Sequence, residues 1–154
     1  MTPPTSSNNK IKSVHHDLPA YISFYNRANF PVDIVWIDYR GDYARYWQRL
    51  QPGEYHNLDT YVTHPWIAWN SDTLENARIN NSKVFYPEPY NGGNQRTIVY
   101  IDRPMQSLLD ICLQTVRLLV DTDKIEELEI PLYLIERLKK RRNVIVKDVL
   151  RRRR

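Results

Sequence analysis

The residues best equipped for chemistry fall together at 60–66, Thr-Tyr-Val-Thr-His-Pro-Trp, where hydroxyl, phenol, imidazole and indole groups share one short stretch. An imidazole beside hydroxyls can be a metal ligand, a general base, or a partner for a bound hydroxyl. A zinc site asks for three or four His, Cys or carboxylate ligands. This chain has His15, His16, His56 and His64, the first two in a polar N-terminal stretch, and a single cysteine, Cys112. We expect no metal and no cofactor. Nucleophilic catalysis needs a Ser or Thr within reach of an oriented base, and apart from Asp59 nothing such as a G-x-S-x-G elbow supports it, so we expect no enzyme. Read as a single strand, the stretch puts Thr60, His64 and Trp66 on one face, with Val62 between them. On local grounds that face is either a core histidine satisfied by a threonine or a pocket that reads a hydroxyl.

The elements that must position this face are short. From about residue 20, β-rich runs alternate with turn formers: AYISFYN, VDIVWIDYR, YWQRL, EYHNLDTYV, HPWIAWN, KVFYP and RTIVYID. Turns are expected at Arg40-Gly41-Asp42, Gln51-Pro52-Gly53, Asn70-Ser71-Asp72 and the longer stretch 87–95. This spacing predicts an N-terminal antiparallel β-sandwich of about seven strands. At Pro104 the period changes. Residues 107–120 lack Gly and Pro and repeat their apolar residues at helical spacing; a short second helix over about 122–129 and a third from Pro131 complete a small three-helix α domain. The fold class is α+β. The expected organisation is a disordered arm at 1–17, a β domain at 18–103, an α domain at 104–142 and a basic tail at 143–154.

No apolar run is long enough to span a bilayer, and the N-terminus has no secretory pattern, so we expect a soluble, intracellular chain. The net charge of +4 conceals an asymmetry: residues 137–154 hold ten Lys/Arg and one acid, leaving twelve cations against seventeen acids before them. Such a tail reads as a solvated helix end, a nuclear address or a weak nucleic-acid contact.

The helix at 107–120 carries more apolar surface than two short neighbours can cover. Leu108, Cys112 and Val116 form an i, i+4, i+8 stripe, while Leu109, Ile111, Leu113, Leu118 and Leu119 spread around the rest, which leaves surface for another chain. Ser107-Leu108, Cys112 and Val116 at this spacing resemble the BC-box, the elongin C-binding helix of ubiquitin-ligase substrate receptors. Ile130-Pro131-Leu132-Tyr133-Leu134 is similar to a cullin box. Leu108 would be the buried anchor and Cys112 a small filler that permits close approach.

Taken with these motifs, the β unit resembles the von Hippel-Lindau family across roughly residues 20–140. The likeness runs through Phe24-Tyr25-Asn26-Arg27, Val35-Trp36, Gly41-Asp42, Tyr46, Leu50-Gln51-Pro52-Gly53, the 60–66 stretch, Val84-Phe85, and Pro104 with Leu108 and Cys112. The resemblance implies a non-catalytic substrate receptor of a cullin-RING ubiquitin ligase that binds prolyl-hydroxylated hypoxia-inducible factor alpha and directs it to proteasomal degradation. Trp36, Tyr46 and Trp66 would be pocket walls, Thr60 and His64 would read the hydroxyl, and Tyr61 would help hold the substrate backbone. Ser107, Leu108, Cys112 and Val116 would bind elongin C, accompanied by elongin B, and Ile130 and Pro131 a cullin-2-type scaffold. Tyr46 stands four residues before Leu50 where three is the family's common spacing, which leaves Tyr43 as a competitor for that wall. Thr60 replaces a usual Ser, Asp59 a usual His and Trp69 a usual Arg. Two rival readings are a carbohydrate-binding sandwich that stacks sugars on Trp36, Trp66 and Trp69, and a nucleic-acid binder acting through the tail.

Overall fold

The structure is a computed structural model that describes residues 9–140 and 146–148. The described residues divide into two units, 9–103 with 146–148, and 104–140. In the first, β1 (Pro19–Asn26), β4 (Tyr55–Tyr61), β6 (Arg78–Ile79) and β7 (Thr97–Asp102) form one sheet in the order β4-β1-β7-β6. β2 (Val32–Ile37), β3 (Tyr43–Leu50), β5 (Trp66–Asn70) and β8 (Val146–Asp148) form the other, in the order β5-β2-β3-β8. One buried cluster draws on strands of both sheets, including Ile22, Phe24, Ile34, Leu50, Leu58, Trp66, Ile79, Val99 and Ile101.

Pairing is mixed rather than purely antiparallel. β7 runs parallel to β1, with Ile22 opposite Thr97, because the long connection after β6 returns the chain in β1's direction; β8 is parallel to β3. The expected strand KVFYP is reduced to an isolated bridge between Phe85 and Trp66, while the paired segment is Arg78–Ile79 upstream of it. The segment 60–66 is not one strand either. β4 ends at Tyr61, a turn follows, and β5 begins at Trp66 in the other sheet.

Residues 9–17 are not a disordered arm. Ser13 is buried: its N–H donates to the Asp38 carbonyl at 3.1 Å and its hydroxyl to the Ile37 carbonyl at 2.8 Å. The His15 backbone brackets the Thr63 hydroxyl, donating to it at 3.0 Å and accepting from it at 2.8 Å. Gly41 makes room for this segment: its φ of 78° suits glycine, and a Cβ there would meet Lys10 Cε at 2.6 Å and the Ile11 carbonyl at 2.9 Å. Polar composition hid the contact, since these bonds are made by backbone and small hydroxyls that carry no hydrophobic signal.

The second unit contains α1 (Leu108–Leu119), a 3-10 helix at Thr122–Glu127 and α2 (Leu132–Lys139). The middle element was expected as a longer helix; its six residues are too few for a stable α-helix and close i→i+3 bonds instead, as from the Lys124 N–H to the Asp121 carbonyl. Leu113, Ile125, Ile135 and Leu138 make the unit's own core. The basic tail at 143–154 lies outside the described residues, apart from the backbone of β8.

Asn26, at the end of β1, joins the two sheets. Its amide donates to the Phe30 carbonyl at 2.9 Å and the Leu50 carbonyl at 2.8 Å, and its side-chain oxygen accepts from the Ala28 N–H at 2.9 Å, all with Asn26 fully buried. Asn26→Ala leaves these groups without their partner and is expected to destabilise the chain by at least about 3 kcal/mol, measured by urea unfolding.

Candidate functional site

The turn between β4 and β5 brings the end of one sheet against the beginning of the other. There an open cavity of about 80 Å³ is lined by Trp36, Tyr46, Asp59, Thr60, Tyr61, His64 and Trp66. Thr60 and Trp66 meet directly: the buried indole Nε1 donates to Thr60 Oγ1 at 3.1 Å. They converge across a change of sheet and not through strand parity, so the grouping expected from the sequence arises by a different route. The threonine oxygen keeps a second lone pair and its own proton for a ligand.

The aromatic walls hold one another. Tyr46 packs edge-on to Trp66 with ring centres 5.1 Å apart and to Trp36 at 6.3 Å. Trp36 stacks on His64 at 5.2 Å with 27° between the planes. The Trp36 indole is fixed from behind, its Nε1 donating to Ser13 Oγ at 2.7 Å. Tyr46, not Tyr43, forms the wall; Tyr43 lies instead 6.1 Å from Trp69.

His64 is 7% exposed, and its Nε2 lies 3.0 Å from the Tyr39 hydroxyl. Burial holds its pKa below the ordinary imidazole value. Asp59 adds a carboxylate at the cavity, paired with Arg96 at 2.6 Å. Ser13, Tyr39 and Asp59 were absent from the expected site. Nothing local marks the first two, whereas Asp59 could have been found from its place beside Thr60 at the end of β4.

The three-tryptophan sugar platform is not formed. Trp69 is fully buried, its Nε1 donating to Asp33 Oδ2 at 3.1 Å, and Trp66 is only 2% exposed. The side chains of Asp33 and Arg45 also pair, at 3.3 Å, so Trp69 belongs to a buried polar anchor. Among the described residues no group of His, Cys, Asp or Glu is arranged to hold a metal ion, and no helix is long and apolar enough to cross a membrane.

In the second unit the expected stripe is divided. Leu108 is 77% exposed and Cys112 is exposed, whereas Val116 packs against the unit's core. Ser107 caps α1, accepting from the Asp110 N–H at 3.1 Å. Ile130 is half-buried against the core, and Pro131 is exposed at the start of α2. Ile111, Leu118, Leu119, Leu132 and Tyr133 extend the exposed apolar surface.

His56 shares the depressed pKa of His64, again from burial, and stacks on Trp47 at 4.2 Å. Both groups bind protons more readily in the unfolded chain. Stability is therefore complete above the ordinary imidazole pKa of about 6.5 and declines as pH falls below it. Urea unfolding across this range is expected to show that decline, with a shallower slope in His64→Gln.

Compared with known families, residues 11–93 match the model of the VHL beta domain. The match takes in Ser13 and every residue lining the cavity.

Proposed function

The chain belongs to the family of the VHL beta domain, and on that premise we propose that it is the substrate-recognition subunit of a cullin-RING ubiquitin ligase, binding prolyl-hydroxylated hypoxia-inducible factor alpha. One observation carries the reading: a small aromatic cavity with a hydroxyl at its wall that retains hydrogen-bonding capacity. A space of about 80 Å³ is well below the 300–1,000 Å³ of a typical small-molecule pocket and suits a single ring of a peptide side chain. Trp36, Tyr46 and Trp66 offer flat, rigid faces to a pyrrolidine ring. Thr60, with His64, meets its hydroxyl, and an unmodified proline leaves these polar groups desolvated and unpaired.

β4 supports capture of an extended peptide. Among the described residues it pairs with β1 alone, so its other edge has backbone groups to offer beside the cavity, where Tyr61 helps hold the substrate backbone. In this reading the two sheets are the sandwich of a peptide-binding domain at 18–103, and the helices at 104–142 are a three-helix adaptor unit. Exposed Leu108 and Cys112 would dock elongin C, which arrives with elongin B; Val116 and Ser107 shape that helix, one by packing and the other by capping it. Ile130 and Pro131 would select a cullin-2-type scaffold. The protein would act without catalysis of its own, in cytoplasm and nucleus, by holding its substrate beside the transfer machinery.

Titration of the full chain with a hydroxyproline peptide and its unmodified twin is expected to give at least a hundredfold tighter binding of the first, within the range that unpaired polar groups produce. Equal affinities would remove the reading. For the helix, Leu108→Ser is expected to weaken elongin C binding by at least about thirtyfold, as loss of a hot-spot anchor does, with urea stability unchanged because Leu108 is 77% exposed. Undiminished co-purification would count against the docking surface.

A further inference from the structure

Tyr39 lies in the turn after β2 and does not line the cavity, yet its hydroxyl is 3.0 Å from His64 Nε2. Hydrogen bonds to Asp38 fix this turn. Asp38 Oδ1 accepts from the N–H groups of Arg40 and Asp42, both at 2.9 Å, and the Asp38 carbonyl accepts from Gly41 at 2.9 Å. The Tyr39 ring stands edge-on to both Trp36, at 5.7 Å, and His64, at 5.4 Å. The same Trp36 stacks on the imidazole, so the ring is held on a face and at one nitrogen.

We propose that Tyr39 is a positioning residue that fixes the tautomer of His64, making the imidazole a hydrogen-bond donor toward any ligand oxygen. A phenol is a better donor than acceptor, and an imidazole nitrogen is a good acceptor. With Tyr39 donating to Nε2, the neutral ring carries its proton on Nδ1. The remaining neighbours with titratable groups are Tyr61, 5.1 Å away ring to ring, and the charges of His15 and His16.

The consequence concerns what the cavity selects. With Nε2 taken by Tyr39, a ligand atom that bonds His64 must accept a hydrogen bond from Nδ1–H, while Thr60 Oγ1, already accepting from Trp66, has a free lone pair to take one. A hydroxyl satisfies both at once; a bare methylene satisfies neither. This inference rests on the receptor reading above, and it adds that discrimination depends on a residue behind the pocket.

The test uses the full chain as wild type, Tyr39→Phe and Tyr39→Leu, with ¹⁵N-labelled histidine. Wild-type His64 is expected to show a protonated Nδ1 and a bare Nε2, and Tyr39→Phe to shift the population toward the opposite tautomer. In parallel, Tyr39→Phe should bind the hydroxyproline peptide about five- to tenfold more weakly, the worth of one neutral hydrogen bond, with affinity for the unmodified peptide unchanged. If Tyr39→Phe matches wild type in tautomer and affinity and only Tyr39→Leu loses binding, the residue acts by packing and the inference is overturned. Wild-type discrimination that survives intact in Tyr39→Phe overturns the inference alone. Equal wild-type affinity for the two peptides overturns the receptor reading, and the inference with it.

Discussion

The hydrogen bond from the Trp66 indole to the Thr60 hydroxyl is the constraint on which the site depends. It spans the point where the chain leaves one sheet and enters the other, and it is buried, so breaking it would leave an indole N–H without a partner in an apolar surrounding. That cost fixes the Trp66 ring, and with it Tyr46, whose ring centre lies 5.1 Å away. Trp36 completes the box from β2, held by Ser13 behind it. The cavity therefore exists because a polar bond closes a hydrophobic corner. Its walls are in place before any ligand arrives, which spares a binding partner the entropy of ordering them.

How much of this could be read in the sequence differs by kind of interaction. Apolar alternation in AYISFYN, VDIVWIDYR and RTIVYID locates β1, β2 and β7, because each must bury one face or both. The same logic fails at KVFYP, where the pattern is right but partner backbone is lacking beyond one bridge to Trp66. It fails again at 60–66, where Pro65 and the turn at Val62-Thr63 interrupt a run that alternation treats as continuous. The lining residues Trp36, Tyr46, Thr60, Tyr61, His64 and Trp66 were nonetheless legible, through family resemblance and residue type rather than through geometry. Ser13 and Tyr39 were not, because each acts through a single side-chain hydroxyl on a residue distant in sequence, and no periodicity records such a contact.

In the helical unit the sequence overstated one feature and captured another. The stripe of Leu108, Cys112 and Val116 suggested one continuous surface, but the unit needs Val116 for its own small core with Leu113, Ile125, Ile135 and Leu138. A twelve-residue helix beside an eight-residue one has few internal contacts to spend, so the residues nearest the partner helix turn inward. Arg117 reinforces the pairing, its guanidinium donating to the Arg137 carbonyl at 2.7 Å, and Arg137 returns to Asp110 at 2.7 Å. What remains outward is a patch of leucines and isoleucine too apolar for a helix selected for solvent alone.

The same division explains why two of the buried polar centres of the first unit, Asp33 and Thr60, have different characters. Around Asp33 every partner is internal: Trp69, Ser71 and the Arg49 N–H all donate to its carboxylate, which leaves it nothing to offer a ligand. Around Thr60 one donor is internal and the remaining valences face a cavity. A buried polar group with all its bonds met by the protein specifies the fold. One with a bond left over beside an open space is available to a ligand, and in this molecule that distinction separates Trp69, which a rival reading of the sequence offered as a binding surface, from Trp66.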